Sequence, residues 1–255
     1  MSKKAKTVMP YKSYNCITIS QEEIENYVSN LTTEFNYSTD EYVTTYSIKE
    51  AVFEYNKHMP IVTVYFDLFE NLNAQLNRTD WEVRNGIYKD GSGGSIVGGI
   101  IDNLLPKFMT KHSIYKFKHG EDNKEVDCIC IELPFLNSEV KTTGAETVNK
   151  KQTINGSKTQ AADISKGSTK YVNDDWHFYT FCAYHIPRTP NDNLIINDIY
   201  VGVLKRSQWK SSITSKGSGS ASIPVKVFEK QFFKLEALNA SKVSFSPKIP
   251  WSVIS

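Results

Sequence analysis

The strongest constraint in this sequence is the alternation of two kinds of segment. Blocks crowded with aromatic and β-branched residues, such as Ile61 to Phe69 and Trp176 to Ile186, are separated by long stretches of Ser, Thr, Gly, Lys and Asn. Aromatic and β-branched side chains favour strands, whereas the polar stretches hold too few apolar residues to fill a core. The pattern predicts a strand-rich body that carries long polar loops.

The N-terminal part, residues 20–60, is predicted to be helical. Ser20 can cap a helix through its hydroxyl while Glu23 reaches back to it, and apolar residues follow at helical spacing. Ser38 and Glu41 form a second start of the same kind. The β-branched residues that follow also fit a strand, so residues 42–56 stay open between helix and strand.

Residues 61–135 and 171–255 are predicted to form the β body. The run from Ile61 to Phe66 is apolar on both faces, which is typical of a buried strand. The glycine-rich segment at 91–99 is predicted to be a loop that enters a short helix stopped by Pro106. Further strands are predicted at Ser113–His119, Val126–Leu133, Trp176–Ile186, Leu194–Leu204, Ile223–Leu235 and Val243–Ile249.

The fold class that follows is α+β and mainly β, in a single domain over residues 1–255. One or more N-terminal helices are expected to precede an antiparallel β-sandwich or a barrel-like body with long polar loops. Antiparallel pairing is favoured because the C-terminal half shows no helical crossovers between strands. Residues 136–170 are predicted to be a long polar loop or arm, and 211–222 a second, Gly/Ser-rich loop.

The densest group of potential catalytic or metal-binding residues surrounds Trp176. On a strand, His177 and His185 share a face but lie about 26 Å apart at about 3.3 Å per residue, too far for both to bind one metal ion. A half-exposed strand is therefore the favoured interpretation. The group comprises Asp174, Asp175, His177, Cys182 and His185.

Motifs of known chemistry are otherwise missing from the sequence. The five histidines match neither a zinc-protease spacing nor a nucleophile elbow, and the glycines at 91–94 lack the Lys that a phosphate-binding loop requires. Neighbouring acids such as Glu22 and Glu23 do not face each other within one helix. We therefore predict no catalytic, cofactor-binding or metal-binding residue, no cofactor and no enzymatic activity.

Charge and hydropathy bear on partners and location. The N-terminus lacks the apolar core of a secretory signal and no apolar run approaches about 20 residues, which predicts synthesis in the cytoplasm without a signal peptide and no membrane span. A net charge of +2 argues against a protein that wraps nucleic acid. The basic arm at 1–19 is predicted to be a solvated tail, or a weak nucleic-acid contact, through Lys3, Lys4, Lys6 and Lys12.

Three functional hypotheses follow. The leading one is a structural subunit that assembles with copies of itself, and with other structural proteins, into a virion component such as a coat, connector or tail ring. The alternative is a β-pore-forming or insecticidal-type toxin that inserts a hairpin from residues 137–170. The third is an enzyme or carbohydrate-binding module that uses exposed tryptophans, namely Trp81, Trp209 or Trp251.

Overall fold

The chain combines seven α-helices and ten strands within the residues that the structure describes. The larger sheet has seven strands and the smaller has three, so the predicted α+β class is confirmed. The predicted strand at Val243–Ile249 and the basic arm up to Lys12 lie outside the described residues. The computed structural model describes residues 13–29, 38–89, 93–121, 125–144, 153–154, 175–208, 210–213 and 219–236.

Helices occupy the N-terminal half, and both predicted capping boxes are present. Ser20 N donates to Glu23 Oε2 at 2.9 Å and Glu23 N donates to Ser20 Oγ at 3.1 Å. Ser38 and Glu41 make the same reciprocal pair. Residues 42–56, left open between helix and strand, are helical except for a break at Tyr46 and Ser47. The helices here are α1 (Gln21–Ser29), α2 (Thr39–Thr45), α3 (Ile48–His58), α4 (Ile61–Leu76), α5 (Trp81–Lys89) and α6 (Gly93–Lys111).

The predicted strand at Ile61–Phe66 is wrong, because this segment forms the first part of α4. Its buried residues recur every three or four positions, which is the period of a helix face. One buried residue of this helix, Tyr65, also makes a polar contact: its hydroxyl lies 2.9 Å from that of Thr180. The buried positions are Ile61, Val64, Tyr65, Leu68, Phe69 and Leu72.

The helix predicted to stop at Pro106 instead continues through it to Lys111. Proline lacks the N–H that would bond to the preceding turn, and its carbonyl gains a partner in the hydroxyl of Thr110, which donates to it at 3.0 Å. The result is a 19-residue helix that begins inside the segment predicted to be a glycine loop.

The seven-stranded sheet is open and mixed, so a sandwich or barrel is not confirmed. Its strand order is β1-β10-β7-β6-β4-β3-β2, and the β1/β10 and β4/β6 pairs are parallel. The smaller sheet has the order β5-β9-β8. The strands are β1 (Ile17–Ile19), β2 (Phe117–His119), β3 (Cys128–Cys130), β4 (Ser138–Gly144), β5 (Thr153–Ile154), β6 (His177–His185), β7 (Ile195–Leu204), β8 (Lys210–Ile213), β9 (Gly219–Pro224) and β10 (Phe232–Leu235).

Several predicted strands are confirmed, and one predicted strand forms two strands with a helix between them. The hairpin of β2 and β3 forms with Phe117 opposite Cys130, and β6 and β7 pair along nearly their whole length. The segment Ile223–Leu235 is not one strand, because α7 (Val225–Gln231) separates β9 from β10. No helix in the described part of the chain is long and apolar enough to cross a membrane.

The seven-stranded sheet buries both faces. Helices α3, α4 and α6 pack on one face, over a core that includes Phe178 and Cys182 of β6. Helix α7 covers the other, against Tyr179 and Phe181. Gly202 of β7 leaves room for the ring of Phe232 on the adjacent strand β10, since a Cβ there would lie 2.5 Å from that ring. Burial on both faces explains why β6 carries aromatic residues without a polar alternation.

Candidate active site

The candidate site lies where β3 and β4 separate. Strand β4 pairs with β6 from Ser138 to Gly144, but with β3 only at Ser138, opposite Cys128. Two residues further along β4, the N–H of Val140 donates to Asp127 Oδ2 at 2.8 Å. A side-chain carboxylate thus replaces the strand carbonyl as the acceptor, which fixes Asp127 at the opening between the strands.

Lys141 places its ammonium at a point where three oxygens meet. Its Nζ lies 2.9 Å from Glu139 Oε1 and 2.7 Å from the main-chain oxygen of Val140. Asp127 Oδ2 is 3.6 Å from the same nitrogen. Glu139 and Lys141 are two positions apart on one strand, so both project from the same face of β4 and converge with Asp127.

The site is almost closed to solvent. The side chains of Glu139 and Lys141 are 1% and 5% exposed, and that of Asp127 is 16% exposed. Burial by itself lowers the pKa of the Lys141 ammonium, but the negative charges of Glu139 and Asp127 outweigh this effect and raise its pKa above the usual range. Lys141 is therefore a firmly protonated cation in this state.

A third acid, Asp102, lies on helix α6, which packs against β4. Its charge is the smallest of the causes that raise the pKa of Lys141, after those of Glu139 and Asp127. Gly98, one helical turn before Asp102, lies close to Thr142 of β4. A Cβ at Gly98 would lie 2.8 Å from Thr142 Oγ1, beside Lys141 in the chain.

Replacing Gly98 with alanine is expected to push α6 away from β4. The added methyl group would overlap the Thr142 hydroxyl, and overpacking of this kind typically costs about 1–3 kcal/mol of unfolding free energy. Urea denaturation measures this loss. The matched control is Gly99→Ala, because a Cβ at Gly99 meets no atom within 4 Å and alanine favours the helix. Equal stability of the two variants would contradict the proposed close approach.

The start of β4 is held by further buried contacts. Tyr55 of α3 donates its hydroxyl to Ser138 Oγ at 3.1 Å, and its ring stacks on Phe178 with the centroids 4.7 Å apart. On the other side, Asn137 Oδ1 accepts the N–H of Cys130 at 2.8 Å. These contacts fix β4 between its neighbours, so the positions of Glu139 and Lys141 are set by the core and not by a loop.

The donor set suits a hard divalent cation. In the described part of the chain no three His, Cys, Asp or Glu side chains are grouped so that they could hold a metal ion. The set here instead consists of two carboxylates, from Asp127 and Glu139, and the carbonyl of Val140, all now directed at the Lys141 ammonium. Oxygen ligands of this kind are those that Mg²⁺ prefers, and the ammonium shows that a cation fits among them.

The group around Trp176 is dispersed by the fold. His177 and His185 lie at opposite ends of β6, and Cys182 is buried on the face covered by α4 and α6. Asp175 is exposed just before the strand, and Asp174 lies outside the described residues. Of the three tryptophans considered for binding, Trp81 packs on the core in α5, while Trp209 and Trp251 are outside the described side chains.

A second polar cluster ties α3 to the segment before β2. The ring of His58 links Glu54 and Tyr115, with its Nε2 3.0 Å from Glu54 Oε1 and its Nδ1 3.1 Å from the Tyr115 hydroxyl. The ammonium of Lys57 lies 3.4 Å from the same carboxylate oxygen. Each of these groups is occupied by the others, so we assign the cluster a structural role.

Sequence reasoning missed Asp127, Glu139 and Lys141. Two of them lie in β4, inside the segment 136–170 that was predicted to be a polar loop, and that prediction is wrong for Ser138–Gly144. The sequence did contain one indication of the site, namely that Glu139 and Lys141 stand two positions apart on either side of Val140. Such a pair lies on one face of a strand, and buried charges that share a face are typical of functional sites.

Comparison with known proteins identifies the family. A family model described as ScaI restriction endonuclease matches residues 27–235, well over half of the chain. The match includes every residue of the site described above. No curated protein and no solved structure matches the chain.

This match overturns the predicted virion subunit and the prediction that the protein is not an enzyme. The pore-forming alternative is wrong as well, since its proposed insertion hairpin at 137–170 begins with a central strand of the core. Without the virion hypothesis, nothing supports the predicted partners from a virus particle. Association of the protein with copies of itself stays a prediction. The chain belongs to the ScaI restriction endonuclease family.

Proposed function

We propose that this protein is an endonuclease that hydrolyses phosphodiester bonds in duplex DNA with the help of Mg²⁺. The observation that carries the proposal is the convergence of Asp127, Glu139 and the Val140 carbonyl on one buried cation, the Lys141 ammonium. The family's printed description, a restriction endonuclease, supplies the substrate class. The family match supports the same part of the chain as the geometry, because residues 27–235 include Asp127, Glu139 and Lys141.

The residues that would hold Mg²⁺ are Asp127 and Glu139 through their carboxylates and Val140 through its carbonyl. A bound Mg²⁺ supplies a water of lowered pKa and stabilises negative charge on the phosphate. The fit rests on the oxygen donors and on the cation-sized position that the ammonium already occupies among them.

Lys141 has its own part in the chemistry. While Lys141 lies against Glu139 and Asp127, their charges raise its pKa, so in this arrangement it is a hydrogen-bond donor and a positive charge. Its Nζ carries three N–H groups, which can donate to a phosphate oxygen as negative charge builds there. Lys141 is thus suited to stabilise the transition state.

The closed setting strengthens these interactions. Glu139 and Lys141 lie on a strand fixed on both sides, and burial keeps water from screening their charges. The backbone of β4 is thus fixed before substrate binds, and only the Lys141 ammonium has to leave the position that Mg²⁺ would take. The core of the protein therefore supplies the preorganisation that phosphodiester hydrolysis needs.

Metal removal gives the direct test. Purified protein is incubated with supercoiled plasmid DNA in Mg²⁺ or in excess EDTA, and the products are separated on agarose gels. We expect nicked and linear products only with Mg²⁺, because the carboxylates of Asp127 and Glu139 alone cannot activate water. Equal cleavage in EDTA, or none in Mg²⁺ over a wide range of plasmid sequences, would overturn the proposal.

A further inference from the structure

A short N-terminal strap, Ser13–Cys16, packs on the face of the large sheet that α7 covers, and the chain then enters the sheet as β1. Tyr14 and Cys16 of the strap both pack on the aromatic cluster beneath α7. The Cys16 thiol donates to the main-chain oxygen of Phe228 at 3.9 Å. The strap precedes residue 27, where the match to the family model begins, so the family match does not account for it.

The strap is anchored at Ser13 by a buried acid. Ser13 donates its hydroxyl to Asp198 Oδ2 at 2.5 Å, and the Tyr200 hydroxyl donates to the same oxygen at 2.8 Å. The ammonium of Lys234 pairs with the other oxygen of Asp198 and donates to Ser13 Oγ at 2.9 Å. Because the side chain of Asp198 is only 4% exposed, these charge-assisted bonds hold the strap on β7 and β10 with little access for water.

Strand register puts this anchor in one row with Lys141. Lys141 of β4 pairs with Phe181 of β6. Phe181 in turn pairs with Tyr200 of β7, which pairs with Lys234 of β10. Residues paired in this way share a face of the sheet, and neighbouring strands lie about 4.8 Å apart. The two aromatic residues of the row therefore lie between the candidate active site and the anchor of the strap.

Tyr14 covers these two aromatic residues. Its ring centroid lies 6.3 Å from that of Phe181 and 6.0 Å from that of Tyr200, both in edge-on arrangements. Phe228 of α7 completes the packing, at 4.9 Å from Tyr14 and 5.3 Å from Phe181. The N–H of Tyr14 also donates to the Tyr200 hydroxyl at 3.2 Å. Three rings thus hold the ring of Phe181, which is 1% exposed.

Phe181 is the neighbour of Lys141 on the adjacent strand. Since the two residues pair and share a face, the aliphatic stem of Lys141 begins about 4.8 Å from Phe181. The ammonium at the end of that stem has to stay near Glu139 and Asp127, although a lysine side chain has four rotatable bonds. A fixed neighbour limits these rotations, and Phe181 is fixed by the rings that pack on it.

We propose that Tyr14 is a positioning residue for DNA cleavage, because its ring holds Phe181 in place and Phe181 keeps the Lys141 side chain aligned with the two acids of the site. The proposal rests on the proposed function, since it concerns the same active site. Tyr14 reaches Lys141 only through Phe181. Its loss should therefore lower the rate of the chemical step and leave the binding of DNA unchanged.

The test compares Tyr14→Ala with the unaltered full chain. Initial rates of plasmid cleavage in Mg²⁺ are measured over a range of DNA concentrations, which separates the maximal rate from the DNA concentration that gives half of it. We expect the maximal rate to fall by about tenfold or more and the half-maximal concentration to stay within about twofold. Tyr14→Phe keeps the ring and should restore the maximal rate to within about twofold of the unaltered protein.

Two further variants separate positioning from a general loss of packing. Val227→Ala removes methyl groups from α7 on the same cluster and should keep the maximal rate within about twofold. Tyr14→Leu keeps more apolar volume than alanine but has no ring, so it should show the same loss of rate as Tyr14→Ala in a more stable protein. Circular dichroism establishes that each variant is folded.

Hydrogen exchange gives a readout that does not depend on cleavage. The N–H of Val140 donates to Asp127 Oδ2 and so reports on the alignment of β4 with this acid. In Tyr14→Ala the amides of residues 139–141 should exchange at least about threefold faster relative to those of α4, whereas in Tyr14→Phe and Val227→Ala they should not.

The outcomes separate the two proposals. An unchanged maximal rate in Tyr14→Ala overturns the role of Tyr14, and so does an equal loss of rate in Val227→Ala. A raised half-maximal concentration at an unchanged maximal rate also overturns it, because Tyr14 would then act on DNA binding. Unaltered protein that does not cleave DNA counts against the proposed hydrolysis, and exchange at residues 139–141 then decides on Tyr14 by itself.

Discussion

Replacing Glu139 with glutamine is expected to reduce Mg²⁺-dependent DNA cleavage by at least about 10²–10³-fold. Glutamine keeps the size of the side chain and one carbonyl oxygen, but it removes the charge that draws both Lys141 and a divalent cation to this point. Initial rates of plasmid nicking, measured with saturating Mg²⁺, give the fold-change. The far-UV circular dichroism spectrum verifies that the variant is folded.

The matched control for this variant is Glu121→Gln. Glu121 is an exposed residue near the hairpin of β2 and β3, where it pairs only on the surface with Lys118. The same change of chemistry there should leave the cleavage rate within about twofold, because exposed ion pairs contribute little. A Glu139→Gln variant that cleaves as fast as Glu121→Gln would remove the basis of the assigned active site.

Much of the C-terminal half of the sheet could be predicted from the sequence. Strands β6 and β7 are long, rich in aromatic and β-branched residues, and bounded by polar segments, so local preference and burial point to the same structure. The two capping boxes at Ser20 and Ser38 were equally readable. In each case a short stretch of sequence is sufficient to predict the element, because the interactions that form it lie within a few residues of one another.

Helix α4 is an element for which prediction from local sequence fails. The run from Ile61 to Phe66 has the composition of a strand, but the spacing of its buried residues continues to Leu72 as a helix face. A short apolar window cannot distinguish the two periods. The packing of α4 on the sheet decides between them, and that packing depends on Thr180, a residue over a hundred positions away.

The sequence did not reveal the candidate site for a related reason. Strand β4 contains two charged residues and begins a long polar segment, which by composition is a surface loop. Its charges are buried because Asp127, Glu139 and Lys141 compensate one another in space, and sequence spacing does not reveal that arrangement for Asp127. Functional sites are where local preference and the final structure disagree most.

Net charge describes the chain as a whole and not its segments. A value of +2 averages over the whole chain, whereas affinity for DNA depends on where the cations lie. The stretch from Ile199 to Phe228 contains five cations and no acid, and acids elsewhere cancel them in the sum. Charge counted segment by segment distinguishes this stretch from the rest of the chain.

Replacing Lys141 with methionine should reduce both activity and stability. Methionine fills similar volume but leaves Glu139, which is 1% exposed, without its ammonium partner. Removing one member of a buried ion pair typically costs about 3–5 kcal/mol of unfolding free energy. The cleavage rate should fall by about 10²–10³-fold, since the donor to the phosphate is lost. Urea denaturation and plasmid nicking measure the two losses.

The dependence of stability on pH distinguishes loss of the Lys141 charge from loss of side-chain packing. Lys141 has a raised pKa in the folded protein, so its contribution to stability is fully present below the unfolded value of about 10.4 and is lost only as the pH rises through the folded value. The unaltered protein should therefore show no change from this group between pH 6 and about pH 9. In Lys141→Met the buried carboxyl of Glu139 favours its protonated form, so the loss of stability should be smaller at pH 5 than at pH 8.

The double variant Glu139→Gln/Lys141→Met separates the structural role of the pair from its chemical role. With both charges removed, no buried carboxylate is left without its cation at this position, so most of the stability lost in Lys141→Met should return. Cleavage should not return, because the charge that holds Mg²⁺ and the donor to the phosphate are both gone. A double variant as unstable as Lys141→Met would show that the methionine acts through packing, and any recovery of cleavage would contradict the assigned roles of Glu139 and Lys141.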